Sequence, residues 1–427
     1  MLDRSVAPAF KRITSVSLPE VKHTQLDNGR NLFYLQDSNL EGFKIELLIR
    51  AGSWYTEQYV LVPLSLKMLN EGTSKRNSKQ LAEAFDKLGS FLELSPAFDN
   101  SAISVYGLTK YFEENLQLIA EVVESPALEV EALNRLKERE IQRLQLNQQK
   151  SNYLASVELR QSIFGKDHPY GRLIQKDNID QLTIDHVSAF HKSCFQDFDI
   201  FVSGNIPENF QDACNKIFGS LPNPTKSQAL TPTPKVHLSN SGHSTALRDS
   251  KFIQSSIRVG KLLFNRSHPD YIHFMVLNEV LGGFFGSRLM KNIREDKGYT
   301  YGIYSGLYSL THEGYFQIGT DVNAENEKAT LDEIKKEIEI LQTSLVDLEE
   351  LEIVKNYMIG TFAGSVNSPF AIIDKFKATH YQGLHLDFYK NYINNVESVT
   401  PQRLLDLAQS YLKWEDLNVI AVGPPTT

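Results

Sequence analysis

The chain has 427 residues, of which 41 % are hydrophobic and 22 % charged. At roughly 100 to 200 residues per domain this length exceeds one ordinary core, and the composition excludes a disordered, collagenous or membrane-spanning chain. The 44 Lys and Arg against 52 Asp and Glu leave a net charge of −8, without the basic excess a phosphate-backbone binder uses, so no nucleic-acid partner is expected.

Apolar and polar residues alternate over 31–35 and 43–49, either side of Asp37-Ser38-Asn39, which predicts two early strands. Helical spacing follows, weakly over 60–70 and better over 78–88, where Ser78 is a candidate cap and Gly89 a stop. A hairpin is expected over 91–94 and 102–108, helices over 111–123, 129–150, 153–164 and 184–192, and a strand over 198–203. The segment 221–235 carries Pro222, Pro224, Pro232 and Pro234 among Ser, Thr and Lys and reads as a linker. Beyond it the order recurs, with a strand at 257–263, helices at 268–281 and 287–296, and a hairpin across 301–307 and 314–321. Helices at 325–342, 348–361, 370–380 and 401–412 precede a last strand at 417–422. The expected fold class is α+β with two tandem homologous domains, each a mainly antiparallel sheet covered by helices. The expected boundaries are 1–220, a linker 221–236, and 237–427. Two unrelated α+β domains are the alternative on the pattern alone.

Only Cys194 and Cys214 are present, without C-x-x-C spacing, so neither a disulfide scaffold nor a thiolate zinc site is expected. The N-terminus has no apolar signal region, and no stretch approaches the roughly 20 apolar residues that span a bilayer. A soluble cytoplasmic protein with no membrane partner is expected. Of eleven histidines, the pairs His186/His191, His268/His273 and His380/His385 are each five apart, which turns the second imidazole off the first one's helix face. H-x-x-E-H, H-E-x-x-H, G-x-S-x-G, the P-loop and G-x-G-x-x-G do not occur. Gly282-Gly283-Phe284-Phe285-Gly286 fits a tight turn or close backbone approach better than a phosphate cradle.

One stretch, from Gly286 to Ser305, stands apart. Ser287 is placed to cap a short helix carrying Arg288 and Arg294, and Gly298 ends it before an aromatic strand. Arg294 at the helix end and Tyr301 on the strand are placed to converge, where a guanidinium and a phenol donate to a peptide carbonyl or oxyanion. The plain alternative is a dipole-favoured arginine beside a core-packing tyrosine.

With a Ser-Arg-Leu, an Arg at a helix end, a Gly and a Tyr seven residues beyond that Arg, this stretch resembles the second half of the pitrilysin/insulinase-type (inverzincin) zinc metallopeptidases. The resemblance runs through Leu26-Asp27-Asn28-Gly29, Ala51-Gly52-Ser53, Glu71-Gly72-Thr73, His168-Pro169-Tyr170-Gly171 and Val202-Ser203-Gly204. In peptide-cutting members a helix before the Gly-Thr pair carries H-x-x-E-H. Here that window holds Pro63 and Lys67 in place of the histidines and Leu66 in place of the glutamate. The later glutamate ligand falls near Arg143, with Glu138 and Glu140 close by. The matching peptide-pairing edge is about Glu93-Leu94, followed by Pro96, which lacks a donor. No metal is therefore expected in this chain. The resemblance implies a half-clamshell that is the non-catalytic subunit of a heterodimeric zinc endopeptidase. Its partner would be a homologous H-x-x-E-H subunit holding the zinc, and Arg294 and Tyr301 would bind the peptide substrate in trans. In isolation two copies of this chain are the alternative pairing. A structural or peptide-binding pseudo-peptidase with no proteolytic partner is the competing reading, and an autonomous enzyme of unrelated chemistry a third.

Overall fold

The computed structural model describes residues 12–224, 226 and 242–425, so most of the expected linker 221–236 lies outside the described residues. Six strands, β1 (Lys22–Gln25), β2 (Asn31–Gln36), β3 (Gly42–Ile49), β4 (Phe91–Ser95), β5 (Ser101–Leu108) and β6 (Phe198–Gly204), form a sheet in the order β1-β2-β6-β3-β5-β4. Five more, β7 (Ser244–Arg248), β8 (Gln254–Leu263), β9 (Thr300–Ser309), β10 (Gly314–Asn323) and β11 (Asn418–Gly423), form a second in the order β7-β11-β8-β10-β9. With β1 set aside the two sheets share one topology. Each has one parallel pair, β2 with β6 and β7 with β11, is otherwise antiparallel, and ends on an edge strand, β4 or β9. The fold is α+β in two like halves.

The halves are tied together by an exchange of helices. On β3, Phe43, Ile45, Leu47 and Ile49 face the first half's own core, as the alternation predicts. The intervening Lys44 and Glu46 read as solvent-facing but are buried too. Their face is covered by the helix Pro369–His380 of the second half, whose Ile372, Ile373 and Phe376 pack on Phe33, Leu35 and Phe201. Reciprocally, the helix Ser151–Phe164 of the first half lies on β8 and β11, with Ala155, Leu159, Ile163 and Phe164 against Ile420 and Val422. Gly260 makes room for it, since a Cβ there would stand 3.2 Å from Leu159 Cδ2 and 2.3 Å from the Phe316 carbonyl oxygen.

Several local expectations change. The helix Ser78–Lys87 is capped by Asn77 in a reciprocal box with Gln80, not by Ser78. The helical stretch expected at 287–296 is wound mainly as a π-helical turn, Met290–Asp296, and the buried Ser287 hydroxyl makes no hydrogen bond, so it caps nothing. Strands β1 and β7 and the short helices Lys176–Asp180, Phe210–Cys214, Asp387–Lys390 and Tyr392–Glu397 are additional. Among the described residues no helix is long and apolar enough to cross a membrane.

Candidate functional site

The helix Leu61–Met68 holds the window in which the resemblance places a zinc motif. Pro63 sits at its third position, where a backbone N–H would have no intrahelical acceptor, so the imino acid costs no helix bond. Leu66 is in the core, and the helix is apolar nearly all round, as a fully enclosed helix must be. Lys67 is its one charged residue. Its Nζ lies 2.8 Å from Glu140 Oε2 on the helix Val130–Gln148, and Arg143, one turn further on, pairs with the other oxygen of the same carboxylate. The Glu140 side chain is 3 % exposed and that of Lys67 40 %. Glu140, rather than Arg143, is thus the residue of that helix turned to the motif. Burial works to raise the Glu140 pKa, but hydrogen bonds and charge from Lys67 and Arg143 outweigh it and hold the carboxyl below the usual range.

The donor set at this position does not fit zinc, which takes imidazole, thiolate and carboxylate ligands in a tetrahedron. A proline, a leucine and an ammonium supply no ligand, and the one carboxylate is already shared by two cations. Among the described residues no three His, Cys, Asp or Glu side chains group to hold a metal ion. Glu93 and Leu94 do lie on an edge, β4, where Glu93 accepts a 3.2 Å hydrogen bond from the Tyr106 hydroxyl. Pro96 stands just beyond the strand and limits this edge to five residues.

The second half presents Arg294 and Tyr301. Arg288, its neighbour in sequence, is fixed in a two-pronged ion pair with Glu350, Nε to Oε1 at 2.9 Å and Nη2 to Oε2 at 2.7 Å. Arg294 instead has no acid or hydrogen-bond partner among the described residues, and its guanidinium lies 4.9 Å over the ring of Phe285. Gly298, at φ +66°, turns the chain out of the π-turn and into β9. The Tyr299 N–H closes the turn onto the Ile293 carbonyl at 3.0 Å.

Tyr301 is 92 % exposed, so it is not a core-packing tyrosine. Its display has a backbone cause. Ile303 pairs with Thr320 and Thr300 with Val322, which leaves Tyr301 and Gly302 opposite Asp321 alone, a β-bulge on the edge strand. Two threonines pin the bulge. Thr300 Oγ1 accepts from the Gly302 N–H at 3.1 Å and lies 2.9 Å from the Asp321 carbonyl, and Thr320 Oγ1 lies 2.9 Å from the Gly302 carbonyl. Gly282 allows the turn Glu279–Gly283 to press on β9, because a Cβ there would meet Ser305 Oγ at 2.7 Å, which is the close approach the glycines suggest. Phe285, Thr300 and Thr320 escape a reading of the sequence, since Phe285 is identified only by its ring under Arg294 and the threonines only by the register of β9 on β10.

The fold agrees with what known proteins show. Residues 34–177 match the model of the insulinase family, peptidase family M16, and residues 181–358 match that of the peptidase M16 inactive domain. A Helicobacter pylori protein described as the non-peptidase homolog YmxG is 22 % identical over 433 aligned residues, covering 94 % of each chain. A crystal structure of a peptidase M16 inactive domain from Pseudomonas fluorescens superposes with a TM-score of 0.85 at 23 % identity, over 96 % of this chain and 99 % of that one. The periplasmic protease PqqL from Escherichia coli superposes with a TM-score of 0.78 at 14 % identity, over 99 % of this chain but 49 % of its own. The chain therefore belongs to the insulinase (M16) peptidase family, as a homologue whose sequence contains no H-x-x-E-H.

Proposed function

We propose that this chain is the non-catalytic subunit of a heterodimeric zinc endopeptidase, and that it lends Arg294 and Tyr301 to a peptide held at the zinc of a homologous H-x-x-E-H partner. The observation that carries this reading is the contrast between the two halves. Where zinc would sit in the first half, an ammonium and a guanidinium already share the Glu140 carboxylate. In the second half an arginine without an acid partner and an exposed tyrosine stand on a built bulge.

The chemistry asked of the pair is hydrogen-bond donation. The Tyr301 phenol donates to the scissile carbonyl and more strongly to the oxyanion that forms from it. The planar Arg294 guanidinium, seated on Phe285, donates to substrate backbone carbonyls and fixes the peptide's position. Neither residue activates water, so on this reading cleavage needs the zinc of the partner. A peptide-binding pseudo-peptidase without a proteolytic partner is the second reading, favoured by the description of the Helicobacter relative as a non-peptidase homolog.

The purified chain should contain no stoichiometric zinc, show no chelator-sensitive cleavage, and co-purify from its host with an H-x-x-E-H homologue of similar length. Stoichiometric zinc in the isolated chain would end the proposal. Isolation of the chain free of any such homologue would favour the second reading.

A further inference from the structure

Among the helices of the second half, a cavity of about 340 Å3 opens between Tyr271–Asn278, Leu348–Gly364 and Pro369–His380 and the short helices Asp387–Lys390 and Tyr392–Glu397. Its walls are aromatic, with Tyr271, Phe362, Phe388, Tyr389 and Tyr392 among them. Two cations enter it. Lys375 Nζ lies 5.6 Å from the Phe362 ring centre and 5.2 Å from that of Tyr389. The Arg266 guanidinium lies 5.7 Å from the Tyr271 ring centre and 6.0 Å from that of Phe388.

Neither cation has an acid partner among the described residues. Arg266 donates to the Ala378 carbonyl at 2.7 Å, and the adjacent acid Asp374 is committed to Lys377 at 2.7 Å and Lys44 at 3.5 Å. Burial, and then the charge of Arg266, pull the Lys375 ammonium below its usual pKa. Two like charges near each other in an aromatic cavity, neither within ion-pair distance of an acid among the described residues, favour an anion there. The cavity also contains Glu279, whose Oε2 is buried without a hydrogen-bond partner. That carboxyl fits because residue 283 is glycine, where a Cβ would stand 2.6 Å from Glu279 Cδ. An acid in the same cavity disfavours a second negative group on the ligand, so the site suits one anionic group on an apolar body. At about 340 Å3 the cavity is at the small end of ligand pockets, room for one ring and a short chain.

We propose that this cavity binds a small aryl carboxylate, its ring between the tyrosine and phenylalanine faces and its carboxylate on Arg266 and Lys375. Neither Arg294 nor Tyr301 lines this cavity, and the assignment does not depend on the role proposed for them.

The test is a ligand-observed NMR titration of the full chain with 3-phenylpropionate and with its neutral analogue 3-phenylpropionamide. The carboxylate should saturate with a Kd of about 1 mM or tighter, and the amide should bind about tenfold more weakly or worse. Lys375→Gln should weaken the carboxylate by a similar factor, and Lys375→Arg should restore it. Failure of 3-phenylpropionate to saturate, equal binding of the amide, or unchanged binding by folded Lys375→Gln would each overturn the assignment. If Lys375→Gln does not fold, the amide comparison on the unaltered chain decides.

Discussion

Lys67 and Glu140 are 73 positions apart in the chain and meet at 2.8 Å, at the place where the sequence resemblance expects the zinc motif. A lone buried carboxylate costs several kcal/mol, and the two cations on Glu140 offset that cost. The position is thus occupied by charge as well as stripped of ligands. Lys67→Met should lower stability by about 1–3 kcal/mol in denaturant unfolding, since Arg143 still answers one oxygen. The Glu140 carboxyl is held below its ordinary pKa of 4.5, so its contribution is full above that value and lost as pH falls through the lower folded value. Glu140→Gln should flatten that acid limb, and an unchanged limb would show that the pair carries no stability.

A second ion cluster joins the halves. Glu46 on β3 pairs with Lys377 of the exchanged helix, and with Lys44 at 2.6 Å. The Tyr381 hydroxyl donates to Asp199 Oδ2 at 2.5 Å beside it. Because each half's helix completes the other's sheet, calorimetry should give one cooperative transition rather than two. Lys377→Met should lower that transition by about 1–3 kcal/mol without splitting it. Two resolved transitions would show that the halves fold independently.

Glu279 predicts an opposite pH effect. Burial raises its carboxyl from 4.5 to about 7. It shares its cavity with Arg266, Lys375, Tyr271, Tyr357 and Tyr392, and its charge in turn works with burial to raise the Tyr392 phenol. The folded state therefore keeps a proton that the unfolded state releases, and the stabilisation present below pH 4.5 is lost as pH rises to about 7. Glu279→Gln should remove this fall, so its stability relative to the unaltered chain should be greater at pH 8 than at pH 5. Parallel pH profiles would contradict the burial of this group.

Much of the fold is legible in local pattern, because β3, the β4–β5 hairpin, β9, β10 and the long helices each carry their own periodicity. What escapes is set at a distance. The strand β1 is mostly exposed and β7 has no buried residue, so neither alternates, and each exists because β2 or β11 offers a ladder to pair with. Lys44 and Glu46 read as outward-facing because alternation identifies two faces without saying that a helix 330 residues away covers the second. At 77–78 two good caps stand side by side, and Gln80 decides for Asn77 by completing its box. At the site, the seven-residue spacing of Arg294 and Tyr301 is readable. The bulge that displays Tyr301 depends on the register against Asp321, and the pairing of Lys67 with Glu140 has no local signal at all.

The central claim is tested most directly by peptide cleavage with the reconstituted heterodimer, formed from the H-x-x-E-H partner and this chain carrying Arg294→Ala or Tyr301→Phe. Arg294 gives up only its contact with the Phe285 ring and Tyr301 is 92 % exposed, so each variant should stay within about 1 kcal/mol of the unaltered chain in stability and still assemble. The account predicts that kcat/KM falls about 100-fold or more for Tyr301→Phe, with the partner alone nearly inactive. Full activity of the partner by itself, or unchanged kcat/KM in both variants within intact heterodimers, would contradict it.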